Sequence, residues 1–179
     1  GGVVLSDPVI ADALAFYERE VLPDRNDAII GAKPMEGAQR ALEAVLDRGL
    51  RIALLTNPSF GAACIECRMG WAGILDAPFE LVTTMENTRR VKPSADYYRD
   101  ALDVLGLAPE EALMVGNDPK RDFPSPDIGL QTAYVGRGTP VRATWCGRMA
   151  DFARSLDEIC ERHAERQERR LLELVQDVG

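Results

Sequence analysis

Apolar residues recur at helical spacing in some stretches of the chain and run together in others, and these two patterns lay out its elements. Ile10, Leu14, Tyr17, Val21 and Leu22 share one face of a helix over 8–22, with Pro23 as its stop. A polar stretch from Asp24 to Asp27 leads through Gly31 and Pro34 to a second helix at 36–48. There Ala38, Ala41, Leu42, Val45 and Leu46 form a single stripe, and Gly49 is placed to cap the carboxyl end. Leu50-Arg51-Ile52-Ala53-Leu54-Leu55 reads as a buried strand closed by Thr56-Asn57-Pro58. A helix near 60–69, a strand at 79–83, a helix at 94–105 and strands at 112–115 and 132–135 follow. From Arg148 onward one long helix is expected. Its stripe of Phe152, Leu156, Ile159 and His163 fades across 165–170 and resumes at Leu171, Leu174, Val175 and Val178.

Strands alternating with helices imply parallel βαβ units, hence an α/β fold: a Rossmann-like, three-layer α/β/α sandwich around a parallel sheet. Ligands of such sheets bind beyond the carboxyl ends of the strands. Thr56, Asn57 and Asp118 fall at those ends.

Composition narrows the class. With 46% hydrophobic residues in 179, the chain can bury a core as one domain, and 28% charged residues is ordinary for a globular protein. A net charge of -8 argues against sequence-independent binding to nucleic acid, which requires a basic face. A few local cations can still hold a small phosphorylated metabolite. No apolar run approaches the roughly 20 residues of a membrane span, so no membrane partner is expected. The start, Gly1-Gly2-Val3-Val4-Leu5, has neither a basic segment nor an initiator Met, so it reads as the interior of a longer frame or a processed end. Cys64 and Cys67 have C-x-x-C spacing but no second ligand pair, and are read as structural helix cysteines; a cytoplasmic location is expected. The oligomeric state is left open.

Three segments carry candidate chemistry: Leu54-Leu55-Thr56-Asn57 at one strand end, Val91-Lys92-Pro93 before a helix, and Gly116-Asn117-Asp118 with Asp122 at another strand end. Singly they read as an N-cap, a solvated lysine and a turn. Together they offer what phosphoryl transfer requires: a hydroxyl and amide for phosphate oxygens, a cation to offset charge, and carboxylates for Mg²⁺.

The same residues resemble three of the four motifs of the haloacid dehalogenase (HAD) superfamily. Thr56-Asn57 is similar to motif II, Lys92-Pro93 to motif III, and Gly116-Asn117-Asp118 with Asp122 to motif IV. The likeness spans about 30–140 and extends to Trp71-Ala72-Gly73, Val82-Thr83-Thr84, Glu86-Asn87 and Tyr97-Tyr98 of a bacterial branch. It implies hydrolysis of phosphate monoesters through a phospho-aspartate. Thr56 would bond the transferring phosphoryl, Asn57 shape the loop beside it, and Lys92 neutralise charge. Asp118 would bind Mg²⁺, with Asp122 supporting its water shell. The resemblance also divides the chain into a cap remnant at 1–30, a HAD-like core at 31–147 and an accessory helix at 148–179.

Motif I of that superfamily, a D-x-D at the end of the first strand, has no counterpart before Thr56. Val3-Val4-Leu5-Ser6-Asp7 ends in an acid, but Val9 stands where the second aspartate belongs. Residues 1–30 are therefore expected to be the tail of a helical cap, with the central strand and most of the cap absent and the fragment inactive. Two other readings stay open: a non-catalytic interaction module that kept the fold, and a phosphoacceptor domain of receiver type using Asp7.

Overall fold

The computed structural model describes residues 7–27 and 31–176, the side chains at 170, 171 and 173–176 excepted. Two expected features lie outside the described residues: the strand-like run Val3–Ser6, and the distal stripe of Leu171, Leu174, Val175 and Val178. The chain divides into two compact units, one of 1–35 with 53–89, the other of 36–52 with 90–179.

The first unit opens with α1 (Pro8–Phe16), where Pro8 presets the helical φ and the Asp7 side chain accepts from Val9 N at 3.0 Å as the N-cap. The expected single helix over 8–22 changes hand-hold after Phe16. It widens into a π turn at Tyr17–Val21 and tightens into a 3₁₀ turn at Pro23–Arg25. Strand β1 (Ala53–Leu54) leads to α3 (Ala62–Ala72) and then β2 (Leu81–Val82), numbering as α2 the helix of the second unit described below. β1 and β2 run parallel, Ala53 opposite Leu81 and Leu54 opposite Val82. Cys64, Ile65 and Met69 bury one side of α3, and Gly73, at φ 68°, ends it in the left-handed conformation that glycine adopts without a Cβ penalty.

The second unit holds α2 (Ala38–Asp47), α4 (Ala95–Leu105), and the parallel strands β3 (Leu113–Gly116), β4 (Gln131–Val135) and β5 (Trp145–Gly147), in the order β3-β4-β5. Its core gathers Ala41 of α2, Ala133 and Val135 of β4, and Trp145 of β5 with Phe152, Leu156 and Ile159. Trp145 and Phe152 meet edge to face at 5.5 Å. The stripe of Phe152, Leu156 and Ile159 is thus the buried face expected, but the helix carrying it is not continuous. It comprises α5 (Met149–Phe152), a 3₁₀ turn at Ala153–Ser155 and α6 (Leu156–Gln176).

The parallel α/β class holds, and the strands form two sheets among the described residues. The strands expected at 50–55 and 79–83 shrink to two residues each, because each is paired along one edge by a ladder two residues long. β5 was not anticipated: three residues including a glycine carry no apolar period. No helix among the described residues is long and apolar enough to cross a membrane.

Candidate functional site

In the second unit, two separate stretches of sequence converge beyond the carboxyl end of β3. The segment before α4 is tied to the loop after β3 by a parallel bridge between Ser94 and Ser125, with Ser125 N donating to Pro93 O at 2.8 Å and Ala95 N to Ser125 O at 3.2 Å. That bridge, which follows a cis Lys92–Pro93 peptide, brings Lys92 Nζ to 2.9 Å from Asp122 Oδ1. Both side chains are buried, 8% and 12% exposed. The other carboxylate oxygen, Oδ2, accepts from the backbone N–H of Asn117 and of Asp118, each at 3.0 Å. Gly116 makes the room: a Cβ there would lie 2.4 Å from both Cβ and Oδ2 of Asp122.

Asp118 begins the turn that returns the chain to Asp122, its carbonyl accepting from Asp122 N at 2.7 Å and Arg121 N at 3.0 Å. Its carboxylate is about half exposed. Oδ1 accepts from Lys120 N at 3.0 Å, and Oδ2 stands 3.7 Å from Arg121 Nε. Tyr98 braces this turn from α4, donating to Arg121 O at 2.7 Å. Burial first, and the nearby Asp122 charge second, push the Tyr98 phenol above its usual range.

In the first unit, Thr56 is locked to Thr83. Thr56 N donates to Thr83 Oγ1 at 2.7 Å, Thr56 Oγ1 donates to Thr83 O at 2.7 Å, and Thr83 Oγ1 reaches Thr56 O at 3.0 Å. The segment after β2 then follows the loop to its far end. Met85 N donates to Phe60 O at 3.0 Å, and both Glu86 oxygens accept from Ala62 N at 3.1 Å at the start of α3. Buried Glu18, from the π turn, adds an acceptor for Gly61 N at 3.2 Å. Chiefly a hydrogen bond from the Thr84 side chain holds the Glu86 carboxyl below the usual carboxylate range. The Thr56–Ala62 loop is therefore held at both ends.

The structure places Lys92, Asp118 and Asp122 in one cluster, and Thr56 with Asn57 on a loop of the other unit. The residues the sequence left without a role are Thr83, Glu86, Glu18, Tyr98 and Gly116. Thr83, Glu86 and Tyr98 fall in stretches quoted only for their likeness, and Glu18 has no local signal because its partner lies 43 residues on. Asp7 serves as a helix cap. Cys64 and Cys67 are free, and burial pushes both thiols up, consistent with a structural role.

The donor set bears on Mg²⁺. Mg²⁺ takes oxygen ligands at octahedral geometry and keeps several waters. Asp118 fits as one such ligand, being a carboxylate at a loop surface. Asp122 has both oxygens engaged and fits only a role beyond direct contact. Among the described residues no group of three or more His, Cys, Asp or Glu is placed to hold a metal by itself.

Comparison with known proteins identifies the family. The family model of haloacid dehalogenase-like hydrolases matches residues 7–125. The chain is 25% identical over 130 residues to pyrophosphatase PpaX of Halalkalibacterium halodurans, covering 73% of the chain and 58% of that protein. It is 34% identical over 102 residues to phosphoserine phosphatase of Thermus thermophilus, covering 56% of the chain and 40% of that protein. Among solved structures it is similar to a HAD phosphatase from Thermococcus onnurineus, with a TM-score of 0.55 and 23% identity over 67% of this chain and 54% of the other. The fold is of the parallel α/β class, and the chain belongs to the haloacid dehalogenase-like hydrolase family. It spans about half the length of the curated relatives it matches.

Proposed function

We propose that this chain supplies the phosphate-binding and metal-binding walls of a Mg²⁺-dependent phosphohydrolase acting on a small phosphorylated metabolite in the cytoplasm. The observation that carries the reading is the buried Lys92–Asp122 pair beside Asp118, at the carboxyl end of a parallel strand. An ion pair in that setting recovers its desolvation only if well bonded, so it is weak evidence of stabilisation and better evidence of a positioned charge. Asp122 fixes the Lys92 ammonium, which offsets the charge of the phosphoryl group. Thr56 Oγ, by turning from the Thr83 carbonyl, donates to a phosphoryl oxygen, and Asn57 shapes the loop around it. Asp118 would hold Mg²⁺, which when bound neutralises phosphate charge in the transition state.

No D-x-D occurs in the sequence, so the attacking aspartate would come from a strand outside these residues, and the leaving-group pocket from the rest of a cap. Residues 1–30, 31–147 and 148–179 would then be the cap remnant, the core and an accessory helix. The relatives named as a pyrophosphatase and a phosphoserine phosphatase support a small phosphorylated substrate, whether ester or anhydride.

The test is hydrolysis of p-nitrophenyl phosphate by the product of the complete reading frame that encodes this chain. Turnover should require Mg²⁺, stop with EDTA, and fall about a hundred-fold or more in Asp118→Asn, since a catalytic metal contributes several kcal/mol. Residues 1–179 alone should give no turnover. Metal-independent activity, or full activity in the Asp118→Asn protein, would refute the reading; absence of any turnover would favour a non-catalytic module.

A further inference from the structure

A cavity of about 250 Å³ opens within the second unit at the amino ends of β4 and β5, the strand ends opposite to those that carry Asp118. Gln131 enters it from β4 with Leu130 just before that strand, Thr144 from just before β5, and Arg166 from α6. The charges around it are mixed. Arg142 and Arg166 bring two guanidinium groups, Asp127 and Glu110 two acidic residues. Arg142 is engaged, with Nη2 at 3.2 Å from Asp127 Oδ2 and Nη1 donating to Pro124 O at 2.7 Å. Among the described residues Arg166 has no ion pair or hydrogen bond.

This balance selects a ligand. Arg142 and Asp127 offset each other, so a purely anionic guest on Arg166 would meet Glu110, and a purely cationic one on Glu110 would meet Arg166. A guest carrying both signs on one small frame satisfies both walls. The volume lies just under the range of about 300–1,000 Å³ usual for metabolite pockets, so the guest is small. Leu130 is the one large apolar residue of the lining, so the guest has little apolar surface. We propose that this cavity binds a small zwitterion of the α-amino-acid type, its carboxylate on Arg166 and its ammonium toward Glu110. A guanidinium suits the first contact because its planar donors match a carboxylate two-to-two. The site stands apart from the phosphatase reading and holds whether or not that reading does. Arg142 links it to the Asp122 loop, because the arm that holds Pro124 belongs to a side chain lining the cavity.

The inference is tested by titrating ¹⁵N-labelled protein with glycine and with L-serine, using acetate and methylammonium as probes of one charge each. Both amino acids should shift the amides of Gln131, Thr144 and Gln167 saturably. Neither single-charge probe should do so at the same concentration. Arg166 is exposed, so Arg166→Gln should fold normally and bind about ten-fold more weakly, the loss of one charge-assisted contact. Lack of a saturable shift with either amino acid would overturn the proposal. So would equal shifts with acetate, or undiminished affinity in the Arg166→Gln protein.

Discussion

Thr56 and Asp122 both stand on loops that follow parallel strands, and their neighbours hold them by different means. The Thr56 end of its loop is secured by neutral bonds, two threonines exchanging hydroxyl, amide and carbonyl contacts, while at the far end the Glu86 and Glu18 carboxylates accept from backbone amides. The Asp122 loop is secured by charge, with a buried ammonium on one carboxylate oxygen and two backbone amides on the other. A neutral clamp loosens when one partner is lost; a buried charge left alone must be desolvated without compensation. The two loops should therefore respond very differently to the removal of one partner.

The largest effect is expected from Asp122→Ala. It takes the carboxylate from a Lys92 ammonium that is only 8% exposed and should cost about 3–5 kcal/mol in urea denaturation. A loss below about 1 kcal/mol would show that the pair is not a buried one. Next is Thr83→Val, which keeps shape but leaves Thr56 N without its hydroxyl partner; about 1–3 kcal/mol is expected by the same measurement.

Tyr98→Phe probes the turn between Asp118 and Asp122. It should cost about 1 kcal/mol for the lost bond to Arg121 O. Because the phenol is raised above its ordinary value of 10.0, folding favours its neutral form. That contribution is fully present below pH 10 and is lost as pH rises further. Melting temperature against pH should therefore fall more steeply in the parent than in the Tyr98→Phe protein on the alkaline side. The smallest effect belongs to Arg90→Ala, which breaks half-exposed pairs with Asp96 and Asp100. It should cost under about 1 kcal/mol, and less in high salt.

The contrast also explains what could be read in advance. The stripe of α2 and the Phe152–Ile159 face were legible because an amphipathic helix writes its burial at a fixed period. Lys92, Asp118 and Asp122 were legible as residue types at strand ends, and the structure brings those three together. Illegible were the contacts that cross long stretches of sequence, such as Glu18 on Gly61, or that depend on a void, such as Gly116 beneath Asp122. The strands expected at 50–55 and 79–83 came out shorter because apolar content reports burial, whereas the ladder depends on a neighbour. The breaks at Phe16 and Ala153 carry no proline or glycine to announce them.

Whether the neutral loop and the charged loop serve one phosphate is decided most directly by a double-mutant cycle. kcat/KM for p-nitrophenyl phosphate would be measured for Thr56→Ala, Asp118→Asn and the double variant of the complete protein. Each single change should cost about a hundred-fold. Residues that act on the same transition state as a unit lose less together than the product of their separate losses. The double variant should therefore fall well short of about ten-thousand-fold. A loss equal to that product would mean that Thr56 and Asp118 do not work on a common group.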